Sequence, residues 1–205
     1  MEILLTIAIP TIETRKKVFD ELYEELKRQS EPYGEQIEII SLCDNKEITI
    51  GHKRQLLNEM AKGKYVVHWD DDDWIHPNGI DMIMEGIKTD ADVISYNYSC
   101  DIPVDDKASF PRNVSIKNNN LVDFDNKILY VTPDCKNPMK REHALKVRFD
   151  DVSHSEEYYF KIDMHIYQYL KTEYKIDEDI YQILNRSGEA YNLKERYNLK
   201  PKRLL

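Results

Sequence analysis

Residues 65–77 read YVVHWDDDDWIHP, and the four consecutive carboxylates Asp70, Asp71, Asp72 and Asp73, set between Trp69 and Trp74, are the densest concentration of chemistry in the chain. Adjacent carboxylates repel one another, and burial beside two indoles raises their pKa values unless a cation neutralises them. A divalent metal is one answer. All-oxygen ligands select a hard ion such as Mg²⁺ or Mn²⁺, and a site of few carboxylates leaves coordination positions open for phosphate oxygens. A solvated acidic turn is the other answer. A calcium EF-hand is excluded, because the loop lacks the required Gly and closing Glu at their offsets.

Two more stretches carry groups that could act with this cluster. "CDNKEITIGHKR" holds Asp44, Lys53 and Arg54, and "FDDVSHSEEYYF" holds Asp150, Asp151, Glu156 and Glu157. Asp44 has a plainer reading as an Asx turn after a strand, and Lys53 and Arg54 as the exposed face of a helix. Ser153 and Glu156 spell a Ser-x-x-Glu capping box, so Glu156 fits a helix cap as well as a catalytic role. Arg15 reads as solvated.

The elements that must position these groups alternate. Residues 3–9 (ILLTIAI) form a short apolar run closed by Pro10, the pattern of a buried strand. Residues 14–29 place Val18, Phe19, Leu22, Tyr23 and Leu26 at helical spacing. The alternation repeats as strand "IEIISLC", helix "KRQLLNEMA" with Leu56, Leu57 and Met60 on its apolar side, and strand "KYVVHW". A helix over residues 77–87 and a strand "DVISYNY" follow. Residues 100–126 are irregular and polar, consistent with a loop or small hairpin region. A strand "KILYV", a short helix near "MKREHAL" and a helix over residues 156–170 complete the reading. Such alternation predicts an α/β fold with a mostly parallel central sheet and helices on both faces. In such sheets ligands bind outside the carboxyl ends of the strands. The loops "PTIETR", "DNKEITIGHKR" and "DDDDW" all lie at such ends.

Composition bounds the rest. The 205 residues, 41% of them apolar, suit one compact domain over residues 1–205. With 29 basic against 38 acidic residues the net charge is −9, which repels anionic polymers except where basic residues gather, as Lys194, Arg196, Lys200, Lys202 and Arg203 do. Cys43, Cys100 and Cys135 are odd in number and widely spaced, fitting reduced thiols rather than a disulfide framework or a zinc motif. Residues 1–11 have neither the basic start of a signal peptide nor the length of a membrane span, so a cytoplasmic protein is expected.

"LTIAIPT", "IEIISLCDN" and "KRQLLNEMAKGKYVVHWDDDDWIHP" together resemble the nucleotide-binding half of family 2 glycosyltransferases of the GT-A fold. The resemblance covers the first half of the chain well and part of the second. It implies a nucleotide-sugar-binding half at residues 1–99 and an acceptor half at residues 100–205. Asp70 and Asp72 would be the ends of an Asp-x-Asp motif holding Mn²⁺ or Mg²⁺, Asp72 as direct ligand and Asp70 at the ribose or metal shell, with Asp71 and Asp73 beside them. Pro10, Thr11 and Glu13 match the first nucleotide loop, Asp44 a base-binding aspartate, and Lys53 and Arg54 a basic position of the same pocket. Ile12 stands where the family commonly has an aromatic residue. In the second half "SEEYYF" matches the acidic pair at a helix start, which makes Glu157 the general base and Glu156 its neighbour, with Asp150 and Asp151 as rivals. "NPMKREHA" matches the segment before the acceptor site, bringing Lys140 or Arg141 towards phosphate.

The implied activity is metal-dependent, inverting transfer of a hexosyl or pentosyl group from a nucleotide-diphosphate sugar, expected to be UDP-linked, to a hydroxyl of a glycan, a lipid-linked acceptor or a modified DNA base. The last would suit a bacteriophage enzyme. The basic tail could touch a membrane surface or nucleic acid. A non-catalytic nucleotide-sugar-binding module is the alternative. An Asp-x-Asp phosphohydrolase is a more distant one, since that class carries its motif after the first strand and not the third.

Overall fold

The computed structural model describes residues 2–100, 110–153 and 156–184. The first apolar run is strand β1 (Leu5–Ile12), which pairs in parallel with β2 (Ile37–Asp44) on one side and β3 (Tyr65–His68) on the other. A single 3₁₀ turn (Glu13–Arg15) leads from β1 into α1 (Lys16–Ser30), and α2 (Ile50–Met60) connects β2 to β3. After β3 come β4 (Trp74–Ile75), α3 (Gly79–Ile87) and β5 (Val93–Cys100). Short strands follow: β6 (Arg112–Val114), β7 (Leu121–Asp123), β8 (Ile128–Val131) and β9 (Met139–Lys140). Then come α4 (Arg141–Ala144), α5 (Glu156–Ile166) and β10 (Glu173–Ile183).

The strand order is β2-β1-β3-β9-β5-β6-β8-β7, with β10 parallel to β5 on its other edge and antiparallel to β4. β9 is antiparallel to both β3 and β5 and therefore bridges two parallel strands. Alternation along the strands sends side chains to two cores. Leu5, Ile7, Ile9, Tyr65 and Val67 pack with Leu22 and Leu26 of α1 and Ile80 and Ile83 of α3. Ala8, Val66 and Val93 pack with Leu57 of α2, Ala144 of α4, and Phe160 and Met164 of α5. Helices thus cover both faces, as the alternating sequence predicts. Among the described residues no helix is long and apolar enough to cross a membrane. The basic cluster beyond residue 184 lies outside the described residues.

Three expectations change. α2 turns Lys53, Arg54, Leu57 and Asn58 inward and leaves Met60 about half exposed, so its buried face is mainly polar. The strand β10 falls where the sequence pattern gives no element. Residues 112–123, expected as a loop or small hairpin region, hold two short strands that pair with β8 and not with each other.

The second core encloses His68, whose Nε2 lies 2.7 Å from Asn58 Oδ1 and whose Nδ1 has no hydrogen-bond partner. Burial pushes its pKa well below 6.5, and the nearby Arg54 and Lys136 charges push the same way. The folded state therefore keeps the ring neutral while the unfolded chain takes up a proton below about pH 6.5. This contribution to stability is complete above that pH and declines below it, by up to about 1.4 kcal/mol per pH unit. Urea denaturation between pH 7.5 and 5 is expected to show a shallower pH slope for His68→Gln than for the wild type. Identical slopes would place the ring's titration elsewhere.

Candidate active site

The carboxyl ends of β1, β2 and β3 lie side by side, with Ile12 opposite Asp44 and Ala8 opposite His68. They frame a cleft of about 410 Å³ lined by Pro10, Thr11 and Arg15 from the first loop, residues 46–50 from the second, Lys53 from α2, and Asp70 and Asp71 from the third. Of the donor-binding residues expected from sequence, Pro10, Thr11, Lys53, Asp70 and Asp71 line this cleft. Glu13 is exposed on the adjoining turn.

The four aspartates meet different groups, with Arg15 shared between Asp71 and Asp72. Asp70 accepts from Arg54 Nη2 at 2.6 Å and lies 3.4 Å from Lys136 Nζ. Asp71 accepts from Thr11 Oγ1 at 2.6 Å and from Arg15 Nη1 at 2.8 Å. Asp72 Oδ2 stands 3.3 Å from Arg15 Nη2. Asp73 accepts from the Tyr181 hydroxyl and from Leu184 N. Burial raises the Asp73 pKa well above the carboxylate range, and the Asp70 and Asp72 charges add to this. The run is therefore a buried turn and not a solvated one: all four aspartates are at most 9% exposed.

The clamp on this turn comes from β10. Two register shifts against β5, between Ile176 and Asp179 and between Asp179 and Tyr181, absorb the acidic stretch before Tyr181. Tyr181 then pairs with Ile75 of β4, stacks on Trp69 at 6.3 Å, and accepts from Asp70 N at 3.1 Å. Trp69 Nε1 donates to the Tyr96 hydroxyl, which donates to Lys136 O. That chain of bonds seats the Lys136 backbone behind the aspartates.

On the other wall, Lys53 Nζ donates to Thr11 O at 2.6 Å and pairs with Asp44. Asp44 also accepts from Lys46 N and Ile48 N, so it closes an Asx-type turn and holds residues 46–48 against the cleft. Slight burial opposes its ionisation, but Lys53 and these amides outweigh that and hold its pKa at about 2. Thr49 caps α2 by accepting from His52 N, and its hydroxyl donates to Asp151. Gly51 donates to Val152 O, and a Cβ at that position would sit 1.8 Å from Asp150 O. Only glycine lets the segment before α5 approach α2 this closely.

That approach brings the start of α5 to the aspartates. Glu156 is 3% exposed and accepts from Arg54 Nε at 3.1 Å, so Arg54 bridges Asp70 and Glu156. Arg54 itself is 1% exposed, and its Nη1 has no hydrogen-bond partner. Glu156 stands in the first turn of α5 and takes a long-range partner there, Arg54. The adjacent carboxyls diverge. Burial raises the Glu156 pKa, with Arg54 offsetting part of the rise. Burial also acts on Glu157, but Lys136 and Arg54 outweigh it and its pKa falls. Lys136 remains charged, since Asp70 and Glu157 overcome the effect of its own burial. Asp150 and Asp151 are exposed.

Two expectations are corrected here. Arg15 is not simply solvated, because the 3₁₀ turn after β1 carries it to Asp71 and Asp72. Lys140 and Arg141 lie at the opposite end of the sheet: Lys140 is opposite Tyr65, the first residue of β3, and pairs with Asp90 and Asp92, while Arg141 bonds the Asn58 and Glu59 carbonyls. Lys136 and Tyr181 were not singled out by sequence. Lys136 sits in "TPDCKNP", where a lone lysine between two prolines is the available signal.

No protein-family model matches the sequence, and no curated protein matches it. Solved structures do. S. aureus TarS 1-349 superposes with a TM-score of 0.60 at 14% identity, over 89% of this chain and 60% of that one. The fold is GT-A. The same TarS fragment in complex with UDP-GlcNAc matches with a TM-score of 0.56 at 13% identity, over 93% of this chain and 62% of that one. At this identity the likeness establishes the GT-A fold alone. The chain spans about 60% of the length of the TarS fragment.

Proposed function

We propose that this GT-A chain is a glycosyltransferase of the family 2 kind, moving a sugar from a nucleoside-diphosphate sugar to an acceptor hydroxyl with inversion at the anomeric carbon. The observation that carries this reading is the buried chain Asp70–Arg54–Glu156, which ties the cleft at the strand ends to the carboxylate pair at the start of α5. TarS has been crystallised with UDP-GlcNAc and with UDP, which supports a uridine diphosphate sugar as donor.

In this reading the first loop and residues 46–50 receive the nucleoside, with Asp44 and Lys53 bracing the wall. Among the described residues no group of three or more His, Cys, Asp or Glu side chains is set to hold a metal ion by itself. The all-carboxylate donor set nevertheless fits Mn²⁺ or Mg²⁺ held by one or two carboxylates and completed by phosphate oxygens. Asp72 is the proposed ligand. Asp70, already neutralised by Arg54 and Lys136, supports it from within the protein. Such an ion, when bound, supplies positive charge to the leaving diphosphate.

Glu157 does the proton work. Held ionised by Lys136 and Arg54, it takes the proton from the acceptor hydroxyl as that oxygen bonds to the anomeric carbon. The bond from that carbon to the diphosphate breaks, and the nucleoside diphosphate leaves with the electron pair. Glu156 stays behind as the Arg54 partner.

Thermal shift with UDP, GDP, ADP and dTDP, with and without Mn²⁺, tests the donor site. A ligand at a hundredfold excess over its Kd adds about 2.7 kcal/mol, roughly 5–10 °C in Tm for a domain of this size. UDP with Mn²⁺ is expected to give the largest shift, and Asp72→Asn to remove the Mn²⁺-dependent part while leaving the unliganded Tm unchanged. If no nucleoside diphosphate raises Tm under any condition, the nucleotide-sugar reading fails.

A further inference from the structure

Arg15 is placed as a resident counter-cation for the acidic cluster, and we infer that its ion pairs with Asp71 and Asp72 compete with a divalent ion for the same carboxylates. The inference rests on the metal-assisted reading above and assigns a positioning role to a residue that the sequence leaves in solvent.

The geometry is specific. The guanidinium spans two neighbouring carboxylates, with Nη1 at 2.8 Å from Asp71 Oδ1 and Nη2 at 3.3 Å from Asp72 Oδ2. The exposures are graded: the Arg15 side chain is 36% exposed, against 1% for Asp71 and 10% for Asp72. The anions are thus fixed from the protein side, and the cation lies over them from the solvent side. Thr11 holds the second oxygen of Asp71, so the carboxylate keeps its position when the arginine leaves. Asp70 has its own buried cations and needs nothing from Arg15.

A divalent ion on Asp72 needs lone pairs of the carboxylate that Arg15 already engages, and its charge repels a guanidinium a few ångströms away. Ion and arginine cannot both hold these carboxylates at full strength. Arg15 sits at the end of a single 3₁₀ turn in the cleft wall, where a side chain can swing without moving a strand. A nucleoside diphosphate brings anionic oxygens that attract both the ion and the displaced guanidinium. The consequence is an order of binding. A bare divalent ion enters poorly while Arg15 is in place. The diphosphate draws Arg15 away and admits the ion with it.

The experiment measures Mn²⁺ binding by electron paramagnetic resonance in wild type, Arg15→Gln and Arg15→Lys, each with and without UDP. Circular dichroism melts confirm that the variants fold. Without nucleotide, Arg15→Gln is expected to bind Mn²⁺ roughly tenfold more tightly than the wild type, with Arg15→Lys between them because a point charge cannot span both carboxylates. With UDP present the order is expected to reverse, since the variant lacks the guanidinium that meets the diphosphate. If Mn²⁺ binds equally to wild type and Arg15→Gln without UDP, or to neither, the competition is refuted. The nucleotide-free arm stands apart from donor recognition: failure of UDP to bind would count against the proposed function and leave the Mn²⁺ comparison to decide the role of Arg15.

Discussion

Glu157→Gln is expected to lower turnover by roughly 10² to 10⁴ while leaving donor affinity close to that of the wild type. Glutamine keeps the length and shape of the side chain but cannot accept the acceptor's proton. Glu157 is the partly exposed member of the pair, and its carboxyl is held ionised by Lys136 and Arg54 despite burial. Glu156 is the buried member, with Arg54 Nε as its partner and a raised pKa. Glu156→Gln is therefore expected to reduce stability more than chemistry. Turnover, nucleotide affinity and urea denaturation on both variants separate the two roles. Normal turnover in Glu157→Gln, with loss of turnover in Asp150→Asn or Asp151→Asn, would move the base to the segment before α5. Those two aspartates are exposed, and Asp151 is bonded to the cap of α2, so their present surroundings favour a tether over a proton acceptor.

The parts of the molecule legible in the sequence are those whose patterns follow one rule at a time. β1 and β3 are continuous apolar runs because both their faces are covered, and α1 shows its buried Leu22 and Leu26 at helical spacing. The aspartate run stood out because no ordinary surface turn needs four carboxylates between tryptophans. β10 was illegible because its pairing with β5 slips twice around an acidic stretch, which breaks the period-two alternation that marks a strand. α2 misled in the opposite direction. Its apolar residues suggested a Leu56, Leu57 and Met60 face, but the helix turns Lys53, Arg54 and Asn58 inward, because the charges that compensate the aspartates must come from somewhere. Arg15 and Lys136 could not be found by spacing. Each reaches the cluster through tertiary placement, one from a 3₁₀ turn and the other from a loop seated by Tyr96.

Arg54→Met is expected to destabilise the protein by about 3–5 kcal/mol, because it removes one partner from a buried ion pair and leaves the other charge uncompensated. Methionine fills much of the volume, so the loss would report the charge and not a cavity. Arg54 serves two carboxylates, and Lys136 remains beside Asp70 after the substitution, so Glu156 is the group left exposed to the penalty. Adding Glu156→Gln should then recover part of the loss, with a coupling of about 0.5–3 kcal/mol in a double-mutant cycle measured by urea denaturation. The pH dependence follows with a definite sign. Burial already raises the Glu156 pKa, and loss of the guanidinium that partly offsets it raises it further. A carboxyl whose folded-state pKa lies above its unfolded value costs stability at pH above that unfolded value, and the cost grows until the folded pKa is passed. The deficit of Arg54→Met relative to wild type should therefore shrink as the pH is lowered from 8 towards 5, and Arg54→Met/Glu156→Gln should show less of this dependence. Additive losses at every pH would mean that Arg54 and Glu156 do not share one buried charge system, and the link between the donor cleft and α5 would lose its physical basis.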